Sequence, residues 1–246
     1  IPCSVRCFVK LLHIGILPEE DKEKVLRRLL EFLSQVNYQQ SPPTLGRELH
    51  RLIRRELNNP DPYYEIKKKY NQLMLDRYPA FQEMVNQAAD PFNAALRLAV
   101  AGNVIDFGPQ QKLDIMATIN RVMEAQFAKD DSKQLKKDLQ SANTVLYIGD
   151  NCGEIVLDKL FLETIAHPNL YFTVRGAPVI NDATVEDAKM VGIDKIATII
   201  TTGDDSPGVV WENSSEEFRL IFQKADVVIA KGQGNLEGLI DIVKNS

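Results

Sequence analysis

Two kinds of hydrophobic spacing divide the chain. In the first part, apolar residues return every three or four positions. Val25, Leu29, Phe32, Leu33 and Val36 make one such stripe, and Leu45, Leu49, Leu52, Ile53 and Leu57 make another. That period marks helices that bury one face. Asp61-Pro62 and Asp90-Pro91 each read as an N-cap followed by proline in the first turn. They predict helices near 62–77, 80–88 and 91–101, with Pro42-Pro43 and Asn59-Pro60 as breaks. A further helix fits 110–127 and a short one fits 132–141.

From about residue 143 the spacing changes. Val145–Ile148, Leu170–Val174, Ile196–Thr201 and Val227–Ile229 are short runs of apolar or β-branched residues, as strands buried on both faces should be. Helical patterns over 153–166, 184–191 and 214–224 alternate with them. Such alternation predicts a mostly parallel sheet with crossover helices. The expected fold is α/β. A Rossmann-like α/β/α sandwich occupies 143–246, and an all-helical region or cap over 1–142 precedes it. No internal repeat or low-complexity tract interrupts either part.

Composition narrows the class. The 246 residues are 44% hydrophobic and 26% charged, as in ordinary globular proteins. No apolar run is long enough to span a bilayer and no signal-peptide pattern opens the chain. A cytoplasmic protein with no membrane partner is expected, with a missing N-terminus because the sequence starts at Ile1. Residues 1–140 carry 21 Lys and Arg against 18 Asp and Glu, whereas 141–246 carry 8 against 16. The acidic second half argues against a nucleic-acid partner and suits a cation site. The basic residues Arg51, Arg54, Arg55 and Lys67 to Lys69 read as a solvated helix face. Three cysteines are too few for a disulfide framework. Cys3 and Cys7 read as half-buried thiols, since a zinc site would need a second pair of ligands. Cys152 reads as a small packing residue, and His13, His50 and His167 as surface or packing histidines.

The chemistry is concentrated in the loops after the strands. In open α/β sheets, ligands bind beyond the carboxyl ends of the strands. There the chain places Gly149-Asp150-Asn151-Cys152-Gly153-Glu154, Arg175-Gly176-Ala177-Pro178 with Asn181-Asp182-Ala183-Thr184, Thr201 to Gly208, and Lys231-Gly232-Gln233-Gly234-Asn235. Asp150, Asn151 and Asp182 are hard oxygen donors, matched to Mg²⁺ or Mn²⁺ rather than zinc. Lys231 suits a phosphate as a point charge, with backbone N–H groups near Gly153 and Gly234 as further donors. Arg175 either serves the same anion or pairs with Asp182. Glu154 either orients water or is a favourable acid in a helix's first turn. Each loop alone reads as structural; four together make a site.

These residues carry a resemblance. Asp90-Pro91, Gly102-Asn103-x-Ile105-Asp106-Phe107, Asp150-Asn151-x-Gly153-Glu154, Pro178-x-x-Asn181-Asp182-Ala183-Thr184 and Lys231-Gly232-Gln233-Gly234-Asn235 occur in order. The pattern resembles the metal-dependent damage-control phosphatases, once a domain of unknown function and also described as protein-carboxyl methyltransferases. It is most similar to the smaller microbial and archaeal members. The match runs from about residue 90 onward. Before that point the helices match in type, and the early cysteines resemble the family's start with altered spacing. The resemblance implies a helical region packed on a Rossmann-like domain. It implies a divalent metal (Mn, Mg, Co or Ni) at Asp150, Asn151 and Asp182. It also implies a small phosphorylated metabolite as substrate, either a sugar phosphate or a damaged or surplus compound. Lys231 and Asn235 would then lie near the phosphate, and Asn103 would belong to a family motif. Family members continue past the Gln-Gly-Asn loop with another strand, so the C-terminal part is expected to be truncated at Ser246.

The expected reaction is metal-assisted hydrolysis of phosphate monoesters, with Asp150, Lys231 and Glu154 catalytic. Either Asp150 or a metal-bound water attacks phosphorus. Two rivals share the fold class. One is an S-adenosylmethionine-dependent methyltransferase, since Val145 to Asp150 resembles that family's first motif, although the close run of glycines is missing. The other is a non-catalytic metal- or phospholigand-binding module. Specificity is expected from the helical region and from loops around 103–110 and 203–213. Trp211 and Phe107 either flank the leaving group or pack the core. Oligomeric state is left open.

Overall fold

The computed structural model describes residues 19–37, 39–105, 114–240 and 242. Cys3, Cys7, His13, Asp106 and Phe107 lie outside the described residues. No described helix is long and apolar enough to cross a membrane.

Among the described residues seven helices come first: α1 (Glu19–Gln35), α2 (Pro42–Leu57), α3 (Tyr64–Leu75), α4 (Tyr78–Gln87), α5 (Pro91–Val104), α6 (Ile115–Glu124) and α7 (Ser132–Ser141). The two apolar stripes of α1 and α2 meet in a small cluster of Val25, Leu29, Leu49, Ile53 and Tyr63. Ser41 caps α2 and prolines fill its first turn, and Asp90 does the same for α5 by accepting from the Asn93 N–H. Asp61 differs from expectation. Its carboxylate accepts from the Tyr63 N–H, building a turn ahead of α3, so α3 starts at Tyr64 rather than 62. Helix α6 is shorter than the predicted 110–127, because Asp114 caps it at Ala117 and it ends at Glu124.

The strands and crossovers follow as β1 (Val145–Ile148), α8 (Glu154–Ile165), β2 (Leu170–Val174), α9 (Val185–Val191), β3 (Thr198–Thr201), α10 (Glu216–Lys224), β4 (Val227–Ala230) and α11 (Gln233–Leu239). The sheet is parallel throughout, in the order β3-β2-β1-β4. Strand β3 begins two residues later than predicted. The N–H groups of Ile196 and Ala197 both bond back to Ile193 O, closing a 3₁₀ turn instead of entering the ladder. Helix α11 replaces an expected loop. Gly234 and Gly238 hid it, because glycine is a poor helix former. A Cβ on Gly238 would lie 1.7 Å from Val209 O, so the helix needs glycine to pack on that loop.

Alternation along β1 sorts the core into two faces. Val145 and Tyr147 join α8, α9 and helices α3 to α6 in one large cluster. Leu146 and Ile148 join Ile200, Val209, Phe218 and Phe222 on the other side. Helix α8 is buried on nearly every side, between the sheet and α5. The small residues Ala94, Ala95, Ala99, Ala101 and Gly102 of α5 let it approach closely. Cutting a ring from this contact, as in Phe161→Ala, costs about 3–5 kcal/mol. The consequence for the site is that the helical region and the sheet share one core around α8.

The basic face expected to be solvated is exposed at Arg51, Arg55, Lys68 and Lys69, but it also makes long-range ion pairs. Arg51 and Arg54 of α2 bind Asp205, while Arg54 also donates to Pro178 O and Arg47 reaches Asp204. Lys67 is 1% exposed. Arg54 and Lys67 are the two of that set turned away from solvent. Pairing with loops more than a hundred residues away, invisible in local spacing, makes the difference.

Candidate active site

The strand order reverses direction between β1 and β4, since the chain runs outward through β2 and β3 and then returns. Open α/β sheets form their ligand crevice at such a switch point, beside the loops that leave the two strands. Asp150 and Lys231 stand just past those two strand ends. The β1 loop also pairs with the β2 loop. Cys152 N–H donates to Asn181 O at 2.8 Å, and Ala183 N–H donates to Asp150 O at 2.8 Å. The result is an antiparallel bridge between Asn151 and Asp182. Asp182 therefore sits directly beside the Asp150–Asn151 pair.

Arg175 fills the space among them and is 1% exposed. Its Nε donates to Asp182 Oδ2 at 2.6 Å, Nη2 to Asp150 Oδ1 at 3.1 Å and Nη1 to Asn235 Oδ1 at 2.9 Å. Of its two possible roles, pairing with Asp182 is the one the geometry uses, and the pairing extends to Asp150. Asn235 is fully buried, and its amide nitrogen donates to Gly149 O and Lys231 O. Its hydrogens thus tie the β4 loop to the β1 loop. Gly232 has φ of 80°, and a Cβ there would meet Asp150 Oδ2 at 2.1 Å. Glycine is what lets the β4 loop lie on this carboxylate. The Gly153 N–H, expected to be an anion donor, is committed instead to Asn71 Oδ1 at 2.6 Å.

A second layer lies under the first. The Lys231 ammonium is 2.5 Å from Glu154 Oε1, 2.7 Å from Asp158 Oδ1 and 2.9 Å from Ala99 O. Glu154 is 1% exposed and also accepts from Asn103 and Asn151, each at 3.3 Å. Its helix-start position is accompanied by an inward task. Asp158 accepts the Tyr147 hydroxyl at 2.7 Å, while its Oδ2 has no partner. Sequence reasoning missed Asp158. The available signal was two acids four residues apart in an otherwise apolar helix, which share a face.

Burial controls the electrostatics. It pushes the Asp150 carboxyl up to about 8, helped by nearby Asp182 and opposed by Arg175. Burial also raises Asp182 against the pull of Arg175, and raises Asp158 to about 6 against that of Lys231. Lys231 goes the other way. Burial alone would lower it, but Asp158 and Glu154 hold it above the usual lysine value. Among the described residues, Asp150, Glu154, Asp158 and Asp182 thus have two cations, Arg175 and Lys231, as ion-pair partners, and burial favours protonation of the carboxyls left over. Among the described residues, no three histidine, cysteine or acidic side chains group as a metal cage. The donors here are two carboxylates and one amide. Asn151 gives its Nδ2 to Asp150 and Glu154, which makes Oδ1 the half suited to a cation. A hard-oxygen set in which four carboxyls share two cations fits Mg²⁺ or Mn²⁺, whose binding would displace the protons that burial favours.

The remaining candidates serve packing. Trp211 stacks edge-on against Phe222, with ring centroids 5.2 Å apart. Cys152 is buried, and burial raises its thiol. His50 packs on Tyr63, and His167 bridges Ala142 O and Asn169 O.

Comparison with known proteins agrees with this geometry. The damage-control phosphatase ARMT1-like domain matches residues 1–246. An uncharacterized protein of Methanocaldococcus jannaschii is 36% identical over 97% of this chain and 81% of its own length. A damage-control phosphatase of Pyrococcus horikoshii is 37% identical over 76% of this chain and 65% of its own, and one of Archaeoglobus fulgidus 32% over 83% and 74%. A crystal structure of a DUF89 family protein from Pyrococcus horikoshii superposes with a TM-score of 0.86 at 31% identity, covering 98% of this chain and 86% of that one. With the motif loops meeting in one crevice and a domain match along its whole length, this chain belongs to the damage-control phosphatase ARMT1-like family.

Proposed function

We propose that this protein is a divalent-metal-dependent phosphatase of small phosphate monoesters, either sugar phosphates or damaged or surplus phosphometabolites. The observation that carries the reading is the convergence of Asp150, Asn151 and Asp182 beyond the end of β1, where the two carboxyls share the single cation Arg175. A bound Mg²⁺ or Mn²⁺ would supply Lewis-acid neutralisation of the charge that gathers on the phosphoryl oxygens. The protein's own groups supply the rest. Arg175 holds Asp150 and Asp182 in register through two N–H directions. Lys231 keeps its proton, because two acids hold it charged, so it acts as a fixed positive charge rather than an acid. Glu154 is committed to Lys231 and Asn103 and orients them. Asp150, at the crevice with a side chain 14% exposed, is the carboxylate placed to attack phosphorus or to activate the attacking water.

The test is a screen of phosphate monoesters against Mg²⁺, Mn²⁺, Co²⁺ and Ni²⁺, with a chelator control. Hydrolysis should require metal. Asp150→Asn should lower it by more than about a hundredfold while far-UV circular dichroism stays unchanged. Equal rates for parent and variant would overturn the assignment. So would tight binding of S-adenosylmethionine without metal in a protein that hydrolyses nothing.

A further inference from the structure

Two side chains of α3 grip both of the loops that carry the candidate metal donors. Lys67 is 1% exposed, and its ammonium lies 2.7 Å from Asp61 Oδ2 and 3.0 Å from Asp187 Oδ2. That same Asp187 oxygen accepts the Thr184 N–H at 2.9 Å and the Thr184 hydroxyl at 2.7 Å. Thr184 is two residues from Asp182. One turn further along α3, Asn71 is fully buried and its Oδ1 accepts the Gly153 N–H at 2.6 Å. Gly153 is two residues from Asn151. A third contact comes from Ile180, which packs against the cluster built by α1, α2 and Tyr63 although its φ is +45°. A β-branched residue avoids that conformation unless its surroundings hold it there.

A helix is a rigid ruler. Residues 67 and 71 are about 6 Å apart along its axis, so α3 fixes one loop relative to the other. General fold stability is a weaker explanation. A buried ion pair adds little net stability over an apolar substitute of similar size. Asn71 uses its oxygen on Gly153 while its Nδ2 has no partner among the described residues, so its contact with Gly153 comes at the expense of an unpaired donor.

We propose that Lys67 and Asn71 are positioning residues, and that α3 sets the spacing between Asp150–Asn151 and Asp182. The helical region would then be part of the site's framework and not only its cover. This inference rests on the metal reading above. The experiment uses the full chain with Lys67→Met and Asn71→Ala, the second variant carrying the test should the first fail to fold. In metal-free protein, hydrogen exchange at the Cys152 and Ala183 amides, which form the bridge between the loops, should quicken by about tenfold or more. Exchange in β1 should stay at the parent rate. In titrations followed by electron paramagnetic resonance, Mn²⁺ affinity should weaken by about 10- to 100-fold. A parent that binds no Mn²⁺ overturns the metal reading and this inference with it. A parent that binds, with variants binding equally tightly or exchanging no faster at those amides, overturns this inference alone. So does a uniform rise in exchange across β1, which would mean that the residues serve only global stability.

Discussion

Lys231→Met removes one cation and keeps most of the stem's apolar bulk, so it isolates the charge term. The ammonium contacts two carboxylates that are 0–1% exposed and one backbone carbonyl. Removing one partner of a buried ion pair costs about 3–5 kcal/mol. Proton uptake limits that loss. The Asp158 carboxyl already lies at about 6 with Lys231 in place, so neutralising it at pH 8 costs about 2.7 kcal/mol and at pH 5.5 almost nothing. The sign follows from linkage. A carboxyl raised in the folded state binds protons before the unfolded chain does, so stability grows as pH falls through the folded value towards the ordinary one. Without Lys231 the Asp158 value climbs further, and the variant gains more from acidification than the parent. We therefore expect a deficit of about 3 kcal/mol at pH 8 that narrows by at least about 1.4 kcal/mol at pH 5.5. Urea unfolding of the metal-free proteins at both pH values measures it. Adding Asp158→Asn to the variant should shrink the deficit at pH 8 and flatten its pH dependence. A deficit below about 1 kcal/mol, or one of the same size at both pH values, would refute the picture of a buried ion cluster.

Two further changes test other parts of the fold. Burial, with help from Arg54, lowers His50 from 6.5 to about 4. The stability held by its neutral ring is complete above pH 6.5 and drains away as pH falls towards 4, about 3 kcal/mol in all. His50→Phe should remove that component, so that the parent loses more stability than the variant between pH 7 and pH 4.5 in urea titrations. Equal losses would count against it. Ala166 closes α8 in the left-handed region, with φ 45° and ψ 45°. Ala166→Gly should stabilise the protein by about 0.5–1 kcal/mol, read as a higher urea midpoint at constant slope.

What local spacing could reveal, it revealed. Val145–Ile148 and Leu170–Val174 were legible because strands covered on both faces need unbroken apolar or β-branched runs. Asp90 was legible because a cap and a proline act within one turn. The loops holding Asp150, Asn151 and Asp182 were legible because parallel strands send all such loops to one edge. Long-range partners were not. Lys67, Lys68 and Lys69 are consecutive, and nothing local says which of them meets Asp187, 120 residues later. Arg175 had two readings until the positions of Asp150 and Asn235 around it were known. Helix α11 was obscured by glycines whose purpose is contact with a distant loop.

The two cations of the site are not interchangeable, and their chemistry explains the layering. Arg175 must satisfy Asp182 and Asp150 from two different loops and Asn235 from α11. A planar guanidinium presents donors in three fixed directions and keeps its charge at any accessible pH. It can brace the loops rigidly while two carboxylates share one positive charge. Lys231 meets acceptors stacked along one side, Glu154 and Asp158 from adjacent turns of α8 and Ala99 O from α5. A compact ammonium with three rotatable donors suits that corner. Each cation thus offsets part of the negative charge around it, and neither neutralises its pair of acids completely. Of the four acids, Asp150 has the most exposed side chain, at 14%. Lys67, Arg51 and Arg54 are paired with acids elsewhere, so the shortage of cations falls on the four carboxyls around Arg175 and Lys231.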